Sequence, residues 1–302
     1  MTGQPYARHD AFVAPARSTP EPWRLLLGVL LVALVLFGLN WAMRAVLYAV
    51  SPDRLYDALT FEDGTGTTPA SALVILYSFV FMALGAAAAA HHLHGRSFAS
   101  LLGPSLRQAA RDFFRVLGAL GLLFLLVMLL PPWGAPGAAA PEPNMAPGLW
   151  LALLPFTLSA LVVQTGAEEV LFRGYLQQQL AARYRSPLIW IGVPSALFAF
   201  GHYAPGQFTG NAWLVALWTG AFAIALADLT ARAGNLGPAI AMHFFNNLFA
   251  VALTAMEGNL SGLALYVYPF STTDTDAIRS ALPVDLAIMG CSWLAARVAI
   301  RR

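Results

Sequence analysis

Apolar positions in this chain fall in uninterrupted runs instead of stripes, so the pattern predicts buried or lipid-facing helices and not one-sided surface helices. Eight runs stand out, at residues 25–48, 70–90, 113–130, 149–185, 188–203, 211–230, 238–256 and 283–300. A helix rising about 1.5 Å per residue needs about 20 residues to cross a hydrocarbon layer of about 30 Å, and most of these runs are near or above that length. The fourth is predicted to continue past its polar centre, because nothing after Gly174 breaks a helix until Ser186 and Pro187. Trp23 and Trp41 flank or lie near the ends of the first run, where interfacial anchors belong.

Between the runs the polar character alternates. Residues 1–22 are polar and Pro-rich and are expected as a disordered cytoplasmic tail; 23–148 hold three spans without a motif. Residues 149–256 hold the polar intramembrane positions, and 257–302 an external loop and the last span. Asp53, Asp57, Glu62 and Asp63 against Arg54 mark an acidic external loop. Arginines gather in every second connection: Arg8, Arg17 and Arg24; Arg96, Arg107, Arg111 and Arg115; Arg183 and Arg185; Arg232; Arg301 and Arg302. By the positive-inside rule both termini are cytoplasmic.

Composition agrees with this reading. With 58% hydrophobic residues, 11% charged and a mean hydropathy of +0.64, the chain is expected to be an all-α, polytopic transmembrane bundle of about eight spans, an integral protein of a bacterial plasma membrane whose surroundings are lipid. The formal charge of +2 carries no basic field for nucleic acid. The single cysteine, Cys291, excludes an internal disulfide and a thiolate metal cluster. His91, His92 and His94 sit at the end of a run without a neighbouring carboxylate and are expected as interfacial polar residues.

The candidate chemistry lies within the later runs. Glu168 and Glu169 interrupt an apolar helix, and charged groups at membrane depth are costly and usually functional. Glu169 and Arg173, four apart, can pair on one face, which leaves Glu168 turned about 100° away. His202 closes Phe198-Ala-Phe-Gly-His202 at a depth similar to Glu168, counted from the turn at Ser186. His243 and Asn247 share a helix face and suit metal ligation or oxyanion binding. His243 nevertheless lies only about one turn from Pro238. Either residues 234–237 dip into the bundle or the Glu helix projects beyond the membrane.

In this order and setting, Glu168-Glu169-x-x-x-Arg173, Phe198-x-x-x-His202 and His243-x-x-x-Asn247 resemble the three signature motifs of the CAAX-protease and bacteriocin-processing (CPBP or Abi) intramembrane proteases. The resemblance covers roughly residues 149–256. It implies a membrane hydrolase, usually described as a metalloprotease, that performs CAAX-like intramembrane proteolysis on a membrane-associated peptide or protein. It further implies Glu168 as the base, His202 as its partner on water or metal, and His243 and Asn247 as oxyanion donors or metal shell. Glu169 is a further catalytic candidate, while Arg173 and Phe198 orient the site. Zinc or another divalent metal on Glu168, His202 and His243 is the implied cofactor, with a metal-free glutamate mechanism left open. The rival reading is a non-catalytic immunity or scaffold protein, or a transporter, using the same cluster as a structural or proton-relay network. No internal repeat of the transporter kind is present, which favours the enzyme.

Overall fold

Backbone N–H and C=O groups in lipid must bond within their own segment, so apolar runs of this length fold as helices. The computed structural model describes residues 5–50, 66–129 and 140–301. In chain order its helices are α1 (His9–Val13), α2 (Pro22–Val50), α3 (Pro69–His94), α4 (Ala99–Leu102), α5 (Leu106–Leu129), α6 (Pro147–Arg183), α7 (Pro187–Gly201), α8 (Pro205–Ala233), α9 (Gly237–Leu253) and α10 (Thr275–Ile300). Six of them, α2, α3, α5, α6, α8 and α10, are long and apolar enough to cross a membrane. The other two apolar helices, α7 and α9, are shorter; α9 carries His243, and His202 directly follows the last residue of α7. The protein is a polytopic helical bundle integral to a membrane, and its eight apolar segments divide into six long and two short.

Packing explains which face each helix hides. Gly85 of α3 lies against the backbone of Val32 on α2, where a side chain at 85 would stand 2.9 Å from the Val32 Cα. One cluster, with Val116, Leu226, Met242 and Ala296, joins α5, α8, α9 and α10. A second, with Phe12, Ala86, Val170 and Leu236, joins the N-terminal segment to α2, α3 and α6. A third, with Leu76, Leu161 and Phe244, closes α3, α6 and α9 around the site. Leu26, Leu30, Leu34 and Phe37 of α2 stay exposed, as expected of a face turned to lipid.

One expectation is corrected. Residues 5–18 are not a disordered tail: they fold into α1 and a 3-10 turn, Ala14–Ser18, with Phe12, Val13 and Ala16 buried. Those three apolar side chains dock on the bundle, and the Tyr6 hydroxyl donates to Asp228 at 2.8 Å. Beside the helices, β1 (Glu142–Pro143), β2 (Thr254–Glu257) and β3 (Tyr266–Ser271) form a small sheet of order β1-β3-β2. β1 runs antiparallel and β2 parallel to β3, so the expected external loop after residue 257 is a built cap. The acidic residues Asp53 to Asp63 and the Pro/Ala/Gly-rich connection at 130–139 lie outside the described residues.

The sheet also sorts the two ends of the bundle. At its end lie the starts of α6, α8 and α10, tied through Asn144 to Ser261 and Ala264, and through Gln207 to Asn259 and Thr272. At the other end the arginine-bearing connections meet one another. Arg24 donates to the Leu93 carbonyl, Gly234 packs on Arg8, and Asn235 donates to Asp112 at 2.9 Å. Asn235 and Leu236 are 2% and 0% exposed, so the 234–237 turn is sunk into the protein. α6, 37 residues long, spans about 55 Å and exceeds the hydrocarbon thickness.

Candidate active site

The site is built on α6, α7, α8 and α9. α6 remains α-helical through Glu169 and becomes π-helical from Val170 to Gln177, and α9 makes the same change after Asn247, from Leu248 to Leu253. Such wide turns recur at functional sites because they re-aim side chains without ending the helix. Here both fall directly after motif residues.

Glu169 and Arg173 pair as their spacing predicts. Arg173 Nη1 donates to Glu169 Oε1 at 2.8 Å, with both side chains at most 1% exposed. Arg173 Nη2 also donates to the Ala223 carbonyl of α8, and its Cζ lies 5.0 Å from the Phe198 ring of α7. One arginine thus clamps three helices. Glu169 Oε1 takes a second bond, from His243 Nδ1 at 2.8 Å, while its Oε2 is buried with no partner among the described residues. Glu169 therefore faces His243 and does not face open space.

Glu168 lies beside this pair and is 6% exposed. Its Oε2 stands 3.3 Å from His243 Nε2 and accepts from Gln164 Nε2 at 2.7 Å. Asn247 Nδ2 in turn donates to Gln164 Oε1 at 2.7 Å. Glu168, Glu169, Arg173, His243 and Asn247 are thus one bonded cluster. His202 joins it more loosely. Its Nδ1 lies 2.8 Å from the Phe198 carbonyl, which fixes the proton there, and its ring lies 4.5 Å from the Phe198 ring. His202 lies within the field of Glu168 but bonds to neither carboxylate. Phe198 is the wedge of the site, touching Arg173, His202 and, at 6.0 Å, the His243 ring.

The residues fit a metal poorly. Among the described residues no three His, Cys, Asp or Glu side chains are gathered closely enough to hold an ion. Both nitrogens of His243 are occupied by carboxylates, so Glu168, His202 and His243 do not present three free donors to one point.

Gln164 has no counterpart in the motif reading. Its signal was its position four residues before Glu168, hence on the same helix face, but an amide in an apolar helix reads as an ordinary interhelical contact. Phe222 was missed too: it stacks edge-on against His243 at 5.4 Å and belongs to the apolar wall of α8.

A Bacillus subtilis (strain 168) protein, YyaK, described as uncharacterized, is 24% identical over 265 residues, an alignment that covers 84% of this chain and 85% of that protein. No solved structure matches the chain. Residues 149–249, which hold every cluster member described above, match the family model described as type II CAAX prenyl endopeptidase Rce1-like, and the chain therefore carries an Rce1-like domain of the CPBP family.

Proposed function

We propose that this protein is an intramembrane endopeptidase that hydrolyses a peptide bond of a membrane-associated protein or peptide, in CAAX-like processing, by a glutamate-activated water. An Rce1-like domain supports a membrane endopeptidase. The observation that carries the finer reading is the contact of Glu168 with His243, in a cluster held together by Arg173 and Asn247 inside an apolar bundle.

Peptide hydrolysis needs a base for water and donors for the tetrahedral oxyanion. Glu168 is the base. Glu169 accepts the Nδ1 proton of His243, so Nε2 turns toward Glu168. That nitrogen and the Gln164 amide both stand against Oε2 of Glu168, which leaves Oε1 to take the proton of the water. The water oxygen bonds to the scissile carbonyl carbon and its proton passes to Glu168. The C–N bond then breaks, and that proton leaves on the amine. Asn247, whose amide nitrogen has a second hydrogen beyond the one given to Gln164, supplies an oxyanion donor, while His202, its Nδ1–H given to Phe198, presents Nε2 as an acceptor that holds the water. No step is routed through a metal.

The test is cleavage of a fluorogenic CAAX-like peptide by detergent-purified wild type, Glu168→Gln, His202→Ala and His243→Ala, matched for elution and melting and run with and without a chelator. Glu168→Gln should lose at least about 100-fold in turnover. Adding His202→Ala to it should cost little more, because residues of one catalytic unit are not additive. Wild-type-like turnover from Glu168→Gln sinks the proposal, and small additive losses favour a structural network. Cleavage that survives the chelator supports the metal-free route, whereas its loss would require the three donors to regroup around an ion.

A further inference from the structure

We infer that Gln164 is a positioning residue that orients the base, acting as the middle of a one-way amide relay that runs from α9 to Glu168. The relay rests on the assignment of Glu168 as base made above. Its polarity follows from elementary donor chemistry. An ionised carboxylate can only accept, so Gln164 must turn its NH2 toward Glu168 and its C=O away. That oxygen then demands a donor, and Asn247 provides its NH2 at 2.7 Å. The Asn247 oxygen is left facing α9, where Asn246 donates to it at 3.1 Å. Each amide orientation is thus dictated by the carboxylate at the end of the chain, and no link can be reversed alone.

The geometry also selects an oxygen. Gln164 Nε2 and His243 Nε2 both approach Oε2 of Glu168, so Oε1 is the oxygen they leave for water. Gln164 is 6% exposed, and its bonds join α6 to α9, so carboxylate and oxyanion donor are set relative to each other by one side chain. A donor to a charged acceptor is stronger than a neutral one and is missed more when removed. The relay therefore acts on the chemical step. Substrate affinity should depend on it little, because Gln164 bonds only to other members of the cluster.

Two variants test this. Gln164→Met keeps the bulk and removes both bonds. Gln164→Leu also removes both bonds, with a branched apolar side chain in place of the amide. Each, purified alongside wild type and Glu168→Gln and checked for elution and melting, should lose about 10- to 100-fold in kcat while KM stays within about two-fold. If Gln164→Met does not fold, Gln164→Leu alone carries the comparison. An unchanged kcat in a folded variant overturns the relay, as does a loss confined to KM or to the melting temperature. A wild-type-like Glu168→Gln would instead remove the base assignment, an outcome separable from any result at Gln164.

Discussion

Arg173 occupies the least forgiving position in the cluster. Its guanidinium donates to Glu169 Oε1 and to the Ala223 carbonyl and lies over Phe198. Removing one partner of a buried ion pair costs about 3 to 5 kcal/mol because the other charge is stranded. That is comparable to the lower end of a typical folding free energy of about 5 to 15 kcal/mol. Arg173→Ala should accordingly reduce the yield of folded protein several-fold, read by size-exclusion chromatography after detergent extraction. Normal yield with lost cleavage would place Arg173 in the chemistry instead. The pair was legible because i and i+4 share a helix face. The bond from His243 to Glu169 was not, since it joins residues 74 apart whose meeting depends on how α9 enters the bundle.

At the scale of elements, the N-terminal segment behaves as part of the fold. His9 stacks on Trp190 at 4.4 Å, meets the Gln177 amide at 3.4 Å and is 6% exposed. Burial pushes its pKa down to about 4, opposed by Asp10 and reinforced by Arg17. An unfolded segment would titrate near the ordinary value of about 6.5, so between the two values the detached form binds the extra proton. Docking of residues 5–18 is thus at full strength above about pH 6.5 and weakens as pH falls toward 4. Limited proteolysis or hydrogen exchange in this segment should increase over that window, and His9→Gln should flatten the response. An equal increase in His9→Gln would assign the effect to another group. The Pro-rich composition hid this element because Phe12, Val13 and Ala16 amount to too short an apolar pattern to stand without the bundle beneath it.

Across the whole molecule, the arginine-bearing connections collect at one end and the sheet cap at the other. The alternation along the chain is therefore also a separation in space, as an orientation signal requires. Reporters fused to either terminus should register cytoplasm, and one placed between residues 64 and 68 the opposite side. A terminal reporter on the outside would overturn that orientation while leaving the bundle intact.

What the sequence determined by itself was the set of apolar helices and the residues of the three motifs. Hydrophobic run length and i to i+4 spacing are local properties, and a membrane removes the alternatives to helix. Tertiary structure alone decided the rest. It drew Glu169 toward His243, left His202 beside Phe198 and unbonded to either carboxylate, linked Asn247 to Glu168 through Gln164, and kept the three metal-type donors from one point. These are relations between helices far apart in the chain, set by the sunken turn at 234–237, by the change to π-helix after Glu169 and by the clamp of Arg173. No periodicity records them, because a side chain's partner depends on how two helices cross as well as on the face it occupies.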